Sequence, residues 1–109
     1  MNKQVIRQGD VLLVPVEQVP AEARKHDARR IVLAEGEVTG HHHVLEGDKL
    51  EELLLPGDIA EIEQRFVRVL DEAASLTHDE HSTLDVPPGD YEVRIQREYS
   101  PEEVRRVVD

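Results

Sequence analysis

Tyr91-Glu92-Val93-Arg94-Ile95-Gln96-Arg97-Glu98-Tyr99 is the stretch that decides the fold. Tyr91, Val93, Ile95, Arg97 and Tyr99 share one parity, and Glu92, Arg94, Gln96 and Glu98 share the other. Successive side chains of a strand point to opposite faces, so this alternation marks a half-buried strand. Pro87-Pro88-Gly89-Asp90 stands just before it. Similar punctuation recurs upstream at Gly9-Asp10, Pro20, Glu35-Gly36, Gly47-Asp48 and Pro56-Gly57-Asp58. Short apolar runs between regular turn signals predict a mostly β chain, a small β-barrel or β-sandwich. Downstream, Ser100 caps, Pro101 takes the first helical position and Glu103 closes a capping box. A short C-terminal helix to about Val108 is therefore expected.

The remaining elements follow the same logic. Residues 10–16 form a dense apolar run and predict a buried first strand, with Pro15 at an edge or a bulge. Residues 17–30 are polar and predict a loop with a helical turn. Strands are expected over 30–34 and 37–45, joined at Glu35-Gly36, then over 59–62, 65–70 and 84–86. Leu50, Leu53 and Leu54 suit a helical turn, while Leu53 and Leu55 suit a strand, and the pattern alone does not choose.

The 109 residues predict one domain over 1–109, large enough to bury a core without staples. There are no cysteines, which excludes disulfides, thiolate zinc sites and cysteine nucleophiles. The 13 basic and 24 acidic residues leave a net charge of −11, which repels phosphate backbones and argues against nucleic acid as a partner. No apolar run approaches the roughly 20 residues of a membrane span, and residues 1–4 do not begin a signal peptide, so no membrane contact and a cytoplasmic location are expected. Valine (15) and leucine (11) dominate the apolar set, a composition that favours sheet.

Chemistry concentrates in histidine. Five of the six histidines fall in two clusters, His41-His42-His43 and His78-Asp79-Glu80-His81. Neutral imidazole is the commonest protein ligand for transition metals. On a strand His41 and His43 share a face, with His42 opposite. If Asp79-Glu80 is a tight turn, His78 and His81 oppose each other across a hairpin with Cβ atoms roughly 5 Å apart. That register would set Leu76 against the parity of Leu84 and Val86, and a longer turn would relieve the conflict. The candidate ligands are His41, His43, His78 and His81, with Glu46 as a substitute carboxylate. They imply one divalent transition metal, with Zn, Fe, Mn, Ni and Cu not distinguished. Three protein ligands plus water would leave a position open for chemistry, with Glu80 or Glu46 as general base. The opposing reading makes both clusters polar turns whose imidazoles are structural or respond to pH. His26 reads as a surface residue, and Arg29-Arg30 and Arg105-Arg106 as partners of nearby acids.

His41-x-His43 followed by Glu46, with Pro87-Pro88-Gly89 downstream, resembles the two metal motifs of the cupins. That resemblance implies a small β-barrel holding a metal through histidines and a glutamate. Glu92 stands where the second motif carries a histidine. The wider pattern of Thr39-Gly40-His41, His78 to His81, Pro88-Gly89-x-Tyr91 and residues 96–101 is similar to a small uncharacterised family of bacterial and phage-associated proteins. The functional expectation is a histidine-rich metal-binding protein, extending to a metalloenzyme for a small-molecule substrate. The alternative is an acidic homo-oligomeric interaction module with structural or pH-responsive histidines.

Overall fold

In the computed structural model, residues 4–35, 42–56, 64–70, 72–79 and 81–95 are described. Among them eight strands form one antiparallel sheet that curls into a nearly closed barrel. These are β1 (Ile6–Gln8), β2 (Val11–Val16), β3 (Arg24–Glu35), β4 (His42–Leu55), β5 (Gln64–Val69), β6 (Ala74–Thr77), β7 (Leu84–Val86) and β8 (Gly89–Ile95). The path runs β1-β2-β8-β5-β4-β6-β7, with β3 paired to β4.

β4 organises the molecule. Its residues pair with β3 along nearly the whole strand. Its opposite edge serves two neighbours: Val44–Glu46 pair with β6, and Leu50–Leu55 pair with β5. One strand thus divides the sheet into two wings, β5-β8-β2-β1 and β6-β7, and curvature brings their outer strands together. The wings meet through side chains. Gln8 at the end of β1 donates from Nε2 to Leu76 O of β6 and to Ser82 O of the β6–β7 connection, both at 2.9 Å.

Alternation sorts the apolar residues within each regular stretch, and an irregularity in the β3–β4 pairing puts both Leu45 and Leu50 inside. Val11 and Leu13 of β2, Ile31 and Leu33 of β3, Leu45 and Leu50 of β4, Val67 and Val69 of β5, Leu76 of β6, Val86 of β7 and Tyr91 of β8 fill the main core. Their β-branched and aliphatic side chains stack well on a pleated surface. On the other face, Val19 from the β2–β3 connection covers Leu53 and Phe66 in a second, smaller cluster.

Several expectations meet their outcomes here. Tyr91 is buried and Val93 half-buried, while Ile95 is 41 % exposed at the strand end. Pro15 lies in β2 past the reach of β1, which pairs only with residues 11–13, so its missing N–H falls on a locally open edge. Residues 17–30 are corrected: the segment holds no helical turn, and 24–30 open the twelve-residue strand β3. Leu50, Leu53 and Leu54 are all strand. The C-terminal helix, the strand at 59–62 and the Glu35-Gly36 junction lie outside the described residues, wholly or in part, and no helix occurs among the described ones.

Candidate metal centre

The seam between the two wings is where histidines gather. His43 sits at the start of β4 on the parity of Leu45, which points it inward, and it is 9 % exposed. Leu76 pairs with Leu84, so the β6–β7 hairpin closes through the longer connection 78–83 rather than a two-residue turn. That length relieves the parity conflict and lets His78 and His81 both curl back over the barrel end. The His43 and His78 ring centres lie 4.2 Å apart, His78 and His81 4.7 Å, and His43 and His81 5.8 Å. The two clusters, far apart in the chain, therefore meet.

Hydrogen bonding sets the tautomer of His43. The Gln8 amide nitrogen already donates to two carbonyls, so its Oε1 is the group facing His43. His43 Nδ1 lies 3.0 Å from that oxygen and must donate to it. In the neutral ring this leaves Nε2 as a bare lone pair. Burial, then the charges of His78 and His81, hold the His43 pKa below its ordinary value, against an upward pull from Asp10. Burial and the two neighbouring rings thus favour the neutral form, which is the one that binds metal.

The β1–β2 turn completes the site. Gln8 pairs with Val11, so Gly9 and Asp10 form a two-residue turn. Gly9 has φ +57°, a conformation glycine adopts without a steric cost. A Cβ on Gly9 would lie 2.9 Å from His81 Nε2 and 3.4 Å from His43 Nε2. A side chain at position 9 would collide with the His81 and His43 rings, so glycine is what lets the turn pack against them. Gln8, Gly9 and Asp10 were not marked by the histidine pattern. Gly9-Asp10 is visible in the sequence as a turn, but nothing local ties it to residues 43 and 81.

The other candidates are placed elsewhere. Glu46 is exposed and, three positions from His43, lies on the opposite face of β4, so it is not brought to the cluster. His42 also faces away from His43, and its buried Nδ1 has no hydrogen-bond partner. His26 is exposed on β3, as expected. His41 and Glu80 lie outside the described residues. The planes of His43 and His81 are stacked at 23°, with His78 tilted against both. Among the described residues no set of three or more His, Cys, Asp or Glu side chains is already gathered as a metal-holding group. An ion shared by the three rings requires them to turn about their side-chain bonds.

A nearly closed antiparallel β-barrel with three imidazoles at its seam is the class that fold and site define. The chain belongs to the family of a domain of unknown function, DUF8820, whose model matches residues 7–96. That span includes the β1–β2 turn and both histidine clusters. No curated protein matches the chain, and no solved structure does. The cupin resemblance is not confirmed by this family match. Among the described residues no helix is long and apolar enough to cross a membrane.

Proposed function

We propose that this protein binds one divalent transition metal through His43, His78 and His81 at the barrel seam. The observation that carries the reading is the meeting of the His43, His78 and His81 rings, brought together from β4 and the β6–β7 connection. The ring spacing supports it. Imidazoles sharing a tetrahedral ion, each nitrogen about 2 Å from it, have centres about 5 Å apart. The measured separations of 4.2, 4.7 and 5.8 Å bracket that value. Gln8 supplies the outer support that metal-bound histidines usually have, an acceptor for the second ring N–H that fixes tautomer and orientation. Imidazole donors suit Zn, Fe, Mn, Ni and Cu alike.

Three protein ligands leave a fourth position for water or a small-molecule substrate, which is the arrangement of a catalytic rather than a closed structural site. His81 is exposed, so that position is open to solvent. A second reading is favoured by the ring packing itself: the three rings, His43 and His81 stacked and His78 tilted against both, plug the barrel end as a structural or pH-responsive element. Metal analysis of protein prepared without an affinity tag or nickel column separates the two. Near-stoichiometric metal, lost in His43→Ala and in His81→Ala, supports the first. Absence of metal, and no uptake on titration with zinc, leaves the second.

A further inference from the structure

A separate surface lies along β3. This strand pairs with β4 on one edge. On the other, the Arg65 guanidinium takes the carbonyls of Val32 and Leu33, each at 2.9 Å. Upstream of them, residues 24–30 pair with no further strand among the described residues. All of these residues are exposed except Ala28, which is half-buried. An open strand edge of this length is a template for another strand.

Charge selects the occupant. Arg24, Lys25, Arg29 and Arg30 stand on this short edge against the single acid Asp27, in a protein whose net charge is −11. Lys25 engages Glu51 at 3.5 Å. Arg24, Arg29 and Arg30 have no ion-pair partner among the described residues. A second copy is disfavoured by register. Antiparallel pairing of two β3 edges centred on Asp27 would set Arg24 against Arg30 and Lys25 against Arg29, and like charges directly opposite are destabilising. On its paired edge β3 already meets acids of β4, Glu46 in register with Arg30 and Glu52 with His26, alongside Glu51 at Asp27 and leucines at Arg24 and Lys25. Nucleic acid lacks the backbone N–H and C=O pattern that a strand edge pairs with.

We infer that the open edge of β3 over residues 24–30 binds an acidic extended polypeptide segment by strand addition, its carboxylates meeting Arg24, Arg29 and Arg30. Main-chain bonds then supply affinity, and the charges supply selectivity.

The test uses the full chain and a short capped peptide of alternating glutamate and valine carrying a fluorophore. Saturable binding by anisotropy is expected, together with slowed amide hydrogen exchange confined to 24–30. The triple variant Arg24→Glu/Arg29→Glu/Arg30→Glu should weaken binding roughly ten-fold or more, since rim charges govern such encounters. Its unchanged melting temperature would show that the fold is kept. A lysine–valine peptide, and the acidic peptide with prolines replacing alternate valines, should not bind. The inference is overturned if the acidic peptide does not bind, if either control peptide binds equally, or if the triple variant binds as well as the parent. Preferential binding of a single-stranded oligonucleotide or of anionic vesicles would also overturn it.

Discussion

At the scale of single residues, Gly9 and His43 carry the sharpest expectations. Gly9→Ala meets two obstacles, a positive φ and a methyl 2.9 Å from His81 Nε2. It should cost about 1–3 kcal/mol in urea unfolding of the metal-free protein. It should also weaken zinc binding in calorimetric titration, because the methyl displaces the His81 and His43 rings. Zinc affinity equal to that of the parent would show that the ion does not depend on the packing of these rings against Gly9. The His43 pKa lies below 6.5 because burial and two neighbouring imidazoles oppose its charge. The unfolded chain therefore takes up the proton first. The contribution is fully present above pH 6.5 and is lost as pH falls below that value toward the lower folded-state pKa. Denaturation of the metal-free protein between neutral pH and pH 5 should show this loss, and His43→Gln should flatten it. An unchanged slope in the variant would assign the pH dependence to other groups.

Elements are held in register by charge as well as by apolar packing. Glu51 of β4, Arg68 of β5 and Asp90 of β8 are direct cross-strand neighbours. Arg68 donates to Glu51 at 3.0 Å and to Asp90 at 2.8 Å, and these contacts raise its pKa. Glu51 is 8 % exposed, so removing Arg68 leaves a buried carboxylate with only the 3.5 Å Lys25 contact. Breaking a buried pair costs roughly 3–5 kcal/mol. The Arg68 side chain is 32 % exposed, and screening at such a surface reduces the expected loss for Arg68→Met to about 1–2 kcal/mol. Restoring stability with Glu51→Gln in the same chain would identify the unpaired carboxylate as the cause. The element least legible in the sequence was β3. Lys25-His26-Asp27-Ala28-Arg29-Arg30 is polar on both parities, so it carries no period to read. It is strand because β4 offers a full partner edge, which is a tertiary fact. β7 and β8, by contrast, end and begin where Pro87-Pro88-Gly89 interrupts the apolar runs.

For the molecule as a whole, the seam is the decisive feature. Among the described residues the outer strands of the two wings, β1 and β6-β7, meet through Gln8 and not through a strand ladder. Gln8 is 2 % exposed, so Gln8→Ala would leave two carbonyls and the His43 N–H without their partner. A loss of about 2–4 kcal/mol is expected in chemical unfolding, from buried groups left unsatisfied. Hydrogen exchange should rise in β1 and across the β6–β7 connection more than in β4. Metal would act on the same seam, because its proposed ligands come from β4 and from that connection. An ion at a hundred times its dissociation constant adds about 2.7 kcal/mol to stability. Chelation should therefore lower the melting temperature of the parent and leave His43→Ala unmoved. Equal shifts in both would place the metal elsewhere.

Two things were settled by the order of residues alone. Period-two alternation and repeated turn signals dictate a β-rich chain, because side-chain direction in a strand depends only on parity. The absence of cysteine confines any metal to nitrogen and oxygen ligands. Which histidines meet was decided by tertiary structure. Parity separates His42 from His43, but it cannot say that β4 lies beside β6, or that a six-residue connection folds His78 and His81 back over His43. Nor can it say that a turn beginning at residue 9 closes the same end. Those contacts join positions 34 to 74 residues apart, and they arise from curling one sheet until its outer strands touch.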